Sequence, residues 1–114
     1  MLTGIRLKEK TKPYAKRIEG IAHPIRLSIL YLLAFKDFPL HEIAENLDYP
    51  QNLVSHHIST LLSSGWVEKK KWRRYMYYHL KTRMLFDWYR LFAGTPLEKE
   101  VISKKLASKG QSVG

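Results

Sequence analysis

Apolar residues along the chain recur first at helical and later at strand spacing. Tyr14, Ile18 and Ile21 share one helical face, with Pro13 where a first turn tolerates it and Gly20 near the end, so the pattern predicts a short first helix. His23-Pro24 opens a second segment whose Ile25, Leu27, Ile29, Leu30, Leu32 and Leu33 are nearly all apolar; such a helix is expected to be buried on most sides. Pro39 starts a third helix with the stripe Leu40, Ile43, Ala44 and Leu47, broken by Asp48-Tyr49-Pro50. A fourth helix is predicted over about Gln51 to Ser64 and ends at Gly65. The period then changes. Val67 to Trp72 and Tyr75 to Leu80 are rich in aromatic and β-branched residues, with Arg73-Arg74 between them, and predict a two-stranded hairpin whose turn lacks the usual glycine or asparagine.

Beyond the hairpin, Thr82 to Ala93 carries Met84, Leu85, Phe86, Trp88, Tyr89, Leu91 and Phe92, leaving Arg83, Asp87 and Arg90 for water. A helix apolar over so wide an arc needs cover on two sides, its own core and a second chain. Gly94-Thr95-Pro96 interrupts it, and Leu97 to Ala107 predicts a weaker helix before a Ser/Gly/Lys tail.

Composition narrows the function classes. At 114 residues, with 45% apolar and 26% charged residues, the chain is expected to fold as one domain. It divides into a basic N-terminal segment and first helix (1–22), a central unit (23–80), C-terminal helices (81–108) and a flexible tail (109–114). The absence of cysteine excludes disulfides, thiolate metal sites and thiol nucleophiles. No secretory pattern and no bilayer-length apolar run is visible, so a soluble cytoplasmic protein without a membrane partner is expected.

The net charge of +10 calls for a polyanionic partner. Its distribution is more informative than its sum. Arg6, Lys8, Lys10, Lys12, Lys16 and Arg17 crowd the start, and Lys69, Lys70, Lys71, Arg73, Arg74, Lys81 and Arg83 follow residue 68, whereas Ile18 to Val67 holds only Arg26 and Lys36 against five acids. A lone charge run is usually a solvated face; two runs flanking an uncharged polar helix are not so easily dismissed.

That helix can be read by its faces. Val54, Ile58, Leu61 and Leu62 form an inward stripe, while Asn52, Ser55, His56, Ser59 and Ser63 gather outside. An exposed polar face is the default in any soluble protein. Its place between a short helix and a basic hairpin gives it meaning, because two helices joined by a tight turn and followed by a basic wing form the winged helix-turn-helix that reads duplex DNA. Gln51, Asn52, Ser55, His56 and Ser59 are the candidate base-reading residues. Lys69, Lys70, Lys71, Arg73 and Arg74 are the candidate phosphate contacts, with a tip arginine able to enter the minor groove.

The chain resembles the ArsR-type family of winged-helix repressors from about Ile21 to Leu80. Ala22-His23-Pro24-Ile25-Arg26-Leu27 with Ile29-Leu30, then Glu42-Ile43-Ala44 with Leu47, carry the likeness through the second and third helices. Val54-Ser55-His56-His57-Ile58 with Leu61-Leu62, Gly65-Trp66-Val67, Arg74 and Tyr78-His79-Leu80 complete it. The resemblance implies a mainly α fold with a small β-hairpin, and a homodimer held by the first and last helices, with Tyr14, Ile18, Leu85, Trp88 and Phe92 as interface candidates. The competing expectation is that several of these fill the monomer core. Metal-sensing relatives carry a cysteine pair where this chain has Pro39 and His41, and Asp87 is followed by Trp88 and Tyr89 where a second sensing pattern places histidine close by. Pro50 stands where the family commonly opens the recognition helix with serine.

No metal or other cofactor is expected, since none of His23, His41, His56, His57 and His79 forms an i, i+4 pair with a completing carboxylate. An enzyme is not expected either, for want of a phosphate loop, a carboxylate pair or an activated nucleophile. The resulting expectation is a sequence-specific transcription regulator, a repressor, that binds double-stranded DNA at a pseudo-palindromic operator. Its rivals are a non-specific architectural or protein-docking winged helix, separable by competition with bulk DNA, and an RNA binder. The RNA reading needs a stacking platform, whereas Tyr75, Tyr77 and Tyr78 are expected to alternate between core and sheet surface.

Overall fold

The computed structural model describes residues 3–111; within its helices the side chains of Arg83, Met84, Leu85 and Trp88, and those of residues 105–111, lie outside that description. In order the elements are α1 (Gly4–Glu19), α2 (Pro24–Leu33), β1 (Phe38–Pro39), α3 (Leu40–Leu47), α4 (Gln51–Ser63), β2 (Val67–Trp72), β3 (Tyr75–Leu80), α5 (Arg83–Leu91) and α6 (Pro96–Gln111). The fold is mainly helical, with a three-stranded antiparallel sheet in the order β1-β3-β2.

Local chemistry accounts for most of the boundaries. His23 caps α2 by accepting the Ile25 amide at 3.1 Å, and Pro24 occupies the first turn, where its missing N–H costs nothing. Asp48 adopts a left-handed φ of 56° after α3, and the Tyr49 amide donates back to the Ala44 carbonyl. Gly65 does the same after α4 at φ 84°, where the Trp66 amide returns to Leu61 and that of Gly65 to Leu62. Both are the doubled return bonds of a Schellman end, which stop a helix and redirect the chain sharply. One fixes the turn between α3 and α4; the other launches the hairpin.

The core lies between α2, α3, α4 and the base of the sheet. Ile29, Leu30, Leu33, Ile43, Ala44, Val54, Ile58, Leu61, Trp66, Val67 and Leu80 are buried together. At the hairpin base Val67 faces Leu80, and the ladder runs out to Trp72 opposite Tyr75.

Several expectations are corrected. The first helix is not short: it begins at Gly4 and carries Pro13 in its interior. Pro13 cannot donate to the carbonyl four residues back, but this stretch is exposed and water can satisfy that group. The hairpin has a third strand, because Phe38-Pro39 pairs with Tyr78-Tyr77; Pro39 ends that strand and stands at the N-cap of α3. A two-residue strand is too short to leave a periodic signal. The second helix is buried on one side only, with Tyr31 72% exposed and Leu27 56% exposed, since a single layer of neighbours covers one face. The last helix extends through Gln111, past its expected end at Ala107.

The outer helices are held by few contacts. α1 packs against α5, where Arg17 Nε lies 2.9 Å from Asp87 Oδ2 in an ion pair without hydrogen-bond geometry. Asp87 is therefore half-buried and paired rather than left to water. The end of α1 is stitched to the core by the Trp66 indole, whose Nε1 donates to the Arg17 carbonyl at 2.6 Å. Gly20 is needed there: a Cβ would collide with Ser64 Oγ and come within 2.5 Å of Ser64 Cβ.

Candidate nucleic-acid interface

α3 and α4 meet across the Asp48–Pro50 turn, and α4 turns its apolar stripe inward. Val54, Ile58 and Leu61 are buried, Leu62 is half-buried against them, and His57 is buried as well. The opposite face is open to solvent along its whole length: Gln51, Asn52, Ser55, His56, Ser59 and Ser63 are all exposed. Helical spacing put these residues on one side, and packing leaves that side free. Pro50 is the N-cap and makes no side-chain capping bond, so the first amides of α4 remain available to an outside acceptor.

His57 differs chemically from its neighbour His56. Its ring lies 4.5 Å from that of His23 and 5.7 Å from that of His56, centroid to centroid. Burial lowers its pKa below the ordinary 6.5, and the nearby charges of His23, Arg26 and His56 lower it further. Neutral His57 is thus a packing residue that ties α4 to the start of α2. His56 is exposed and faces outward.

In the wing, Lys69, Lys70, Lys71, Arg73 and Arg74 are all exposed. Lys70 has Glu68 3.9 Å away, while Lys69, Lys71 and Arg74 have no ion-pair partner among the described residues. The two-residue turn places Arg73 at φ 58°, the left-handed region that glycine or asparagine would favour, and its guanidinium stacks 4.3 Å above the Trp72 ring. Opposite Trp72 stands Tyr75, and the Trp72 ring meets Tyr77 edge-on at 6.5 Å. Period-2 alternation therefore puts Trp72, Tyr75 and Tyr77 on one face, while Tyr78 packs against the core from the other. Local periodicity marks the tyrosines but not Trp72 as their partner. Pairing the strands outward from Arg73-Arg74 would have shown it.

The interface candidates are divided. Tyr14, Ile18 and Phe92 are half-buried, and Arg17 stacks 4.9 Å over the Tyr14 ring. The side chains of Leu85 and Trp88 lie outside the described residues. Phe86 and Tyr89 on the same helix are exposed.

Among the described residues, no three His, Cys, Asp or Glu side chains form a group able to hold a metal ion. His79 instead contacts Asp37, with Nδ1 2.6 Å from Oδ1, and helps bind the strand ends together. Among the same residues no helix is long and apolar enough to cross a membrane.

Comparison with known proteins agrees with this geometry. Residues 23–69 match the model of the bacterial regulatory proteins of the arsR family. The chain has no match among the curated proteins. Among solved structures it is similar to HlyU from Vibrio cholerae, with 22% identity, a TM-score of 0.64, and coverage of 75% of this chain and 94% of that one. It is also similar to the transcriptional repressor BigR from Xylella fastidiosa, at 20% identity and TM-score 0.63, covering 80% and 93%. An ArsR-like transcriptional regulator from Rhodococcus gives 20% identity and TM-score 0.69 over 92% and 96%.

Proposed function

We propose, from the premise that this chain carries an ArsR-type winged helix-turn-helix, that it is a DNA-binding transcription regulator, a repressor that occupies a two-fold symmetric operator as a homodimer. The observation that carries the reading is the pairing of an exposed, uncharged α4 face with an anchored hairpin whose basic residues have almost no internal partners. Gln51, Asn52, Ser55, His56 and Ser59 would make hydrogen bonds to base edges, which needs donors and acceptors rather than charge. Lys69, Lys70, Lys71, Arg73 and Arg74 would neutralise phosphates and so supply the salt-dependent part of the affinity.

Support for the dimer is the apolar area left open on the outer helices at Ile5, Phe86, Tyr89, Leu97, Val101 and Ile102, with Tyr14, Ile18, Leu85, Trp88 and Phe92 as the proposed contact set. Two copies of α4 would then address half-sites about one helical turn apart. Selection of bound sequences from a random DNA pool, with the mass of the protein measured in solution, tests the whole reading. A recovered palindrome and a mass of two chains support it. Enrichment of no sequence over bulk DNA would reduce the protein to an architectural module. Removing Arg73 and Arg74 together should flatten the dependence of affinity on salt; an unchanged slope refutes the division of labour between helix and wing.

A further inference from the structure

An open cavity of about 640 Å³ lies between the end of α1, the start of α2 and the last turns of α4, on the wall of which stand Lys16, Arg17, Arg26, Thr60, Ser63 and Ser64. Glu19 is the one acid among its lining residues. The three cations are not equivalent. Lys16 and Arg17 belong to the last turn of α1, where positive charge offsets the exposed carbonyl end, and Arg17 already has Asp87.

Arg26 has no such compensation. It stands in the first turn of α2, a turn without an acidic residue, where the helix dipole disfavours a cation. Its Nε is shielded from solvent and has no hydrogen-bond partner, and no carboxylate of the described residues lies within 4.0 Å of the guanidinium. Arg26 is also one of only two basic residues between Ile18 and Val67. Arg26 is half-buried and lines the cavity with only its Nε shielded, and the planar fork of a guanidinium matches two oxygens of an oxyanion at once. The cavity also offers a neutral donor. Ser63 and Ser64 direct their hydroxyl protons to the Thr60 carbonyl at 3.1 and 2.7 Å, whereas the Thr60 hydroxyl makes no hydrogen bond among the described residues.

We propose that this cavity seats a tetrahedral oxyanion of the phosphate class, held by Arg26 with the Thr60 hydroxyl beside it and Lys16 and Arg17 supplying further charge. The anion would bridge three elements and brace α4 from the side away from its turn with α3. It would also be felt at His57. Arg26 is one of the charges that hold His57 below its ordinary range, alongside His23 and His56, so an anion on Arg26 raises the His57 pKa. Two sources share this chemistry, a free phosphate-class ion and a backbone phosphate of bound DNA.

The test is a titration of the full chain with inorganic phosphate, followed by NMR at constant pH and ionic strength. The expected result is a saturable set of shifts confined to Lys16–Gly20, Arg26 and Thr60–Gly65, with the His57 imidazole titrating at higher pH when phosphate is bound. Arg26→Gln should weaken binding about tenfold or more. Should that variant fail to fold, Ser63→Glu, an exposed position, places a carboxylate on the wall and should weaken binding as much, while Lys99→Gln on α6 leaves it unchanged. Shifts that never saturate, or equal affinity in Ser63→Glu and wild type, overturn the proposal. Adding a short DNA duplex then identifies the source: competition marks a seat for a backbone phosphate, and simultaneous binding marks a site for a free ion. The phosphate titration is read without DNA, so its failure is distinct from failure of the regulator reading.

Discussion

The centre of the molecule and its outer helices are built on different terms. From α2 to β3 each element contributes to one shared core, whereas α1 buries no residue at all and meets the rest through α5, the Trp66 hydrogen bond and the close approach at Gly20. Ile5 at the start of α1 is 75% exposed, and Phe86, Tyr89, Leu97, Val101 and Ile102 on α5 and α6 are also open. The difference separates two sources of order. Packing within one chain fixes the central unit; the outer helices leave apolar side chains open that this packing does not cover.

This contrast can be broken or sharpened by measurement. The largest effect is expected in the core: Leu61→Ala removes a fully buried side chain and should lower unfolding stability by about 2–5 kcal/mol in urea denaturation. A loss well under this range would mean that the central unit is less tightly packed than its burial implies. Next comes the seam between the two regions. Gly20→Ala should cost roughly 1–3 kcal/mol by overpacking, and because Ser64 Cβ is itself too close, Ser64→Gly should rescue it better than Ser64→Ala. Equal rescue would show that only the hydroxyl matters.

At the wing the sign reverses. Arg73→Gly should stabilise the fold by about 1 kcal/mol, since it relieves a left-handed φ at a non-glycine residue. The same change should weaken DNA binding and reduce its salt slope by about 1. Stability and binding moving together would contradict the assignment of the tip to phosphate contact. A smaller change is expected from Asp87→Asn, which breaks the Arg17 pair between α1 and α5; with both side chains partly solvated the loss should be at most about 1 kcal/mol.

The last effect develops only on the acid side of neutrality. His57 is depressed in the folded state, so the unfolded chain binds more protons, and its contribution is complete above 6.5 and lost as pH falls below that value. His57→Gln should reduce the acid-side fall in stability, measured by urea midpoints at mildly acidic and neutral pH. An unaltered fall would place its origin elsewhere.

Much of this arrangement was legible in the residues themselves, and the parts that were not share a cause. The stripe Val54, Ile58, Leu61 needed only helical period to be read, as did the exposure of Asn52, Ser55 and Ser59 opposite it. Gly65 announced the end of α4 because few other residues accept its φ. β1 was missed, since Phe38-Pro39 is a strand only by virtue of Tyr77 and Tyr78 arriving beside it. Pro13 was misplaced because a proline in a helix interior is costly on local grounds alone.

The sequence by itself determined where helices alternate with turns, which face of α4 is apolar, and where positive charge collects, because these depend on short-range periodicity and on the chemistry of single residues. Only the tertiary structure decided that Arg26 looks into a cavity without a partner, that His57 rests on His23, and that Trp66 reaches the carbonyl of Arg17. Those contacts join residues far apart in the chain, and no local pattern encodes the distance between them.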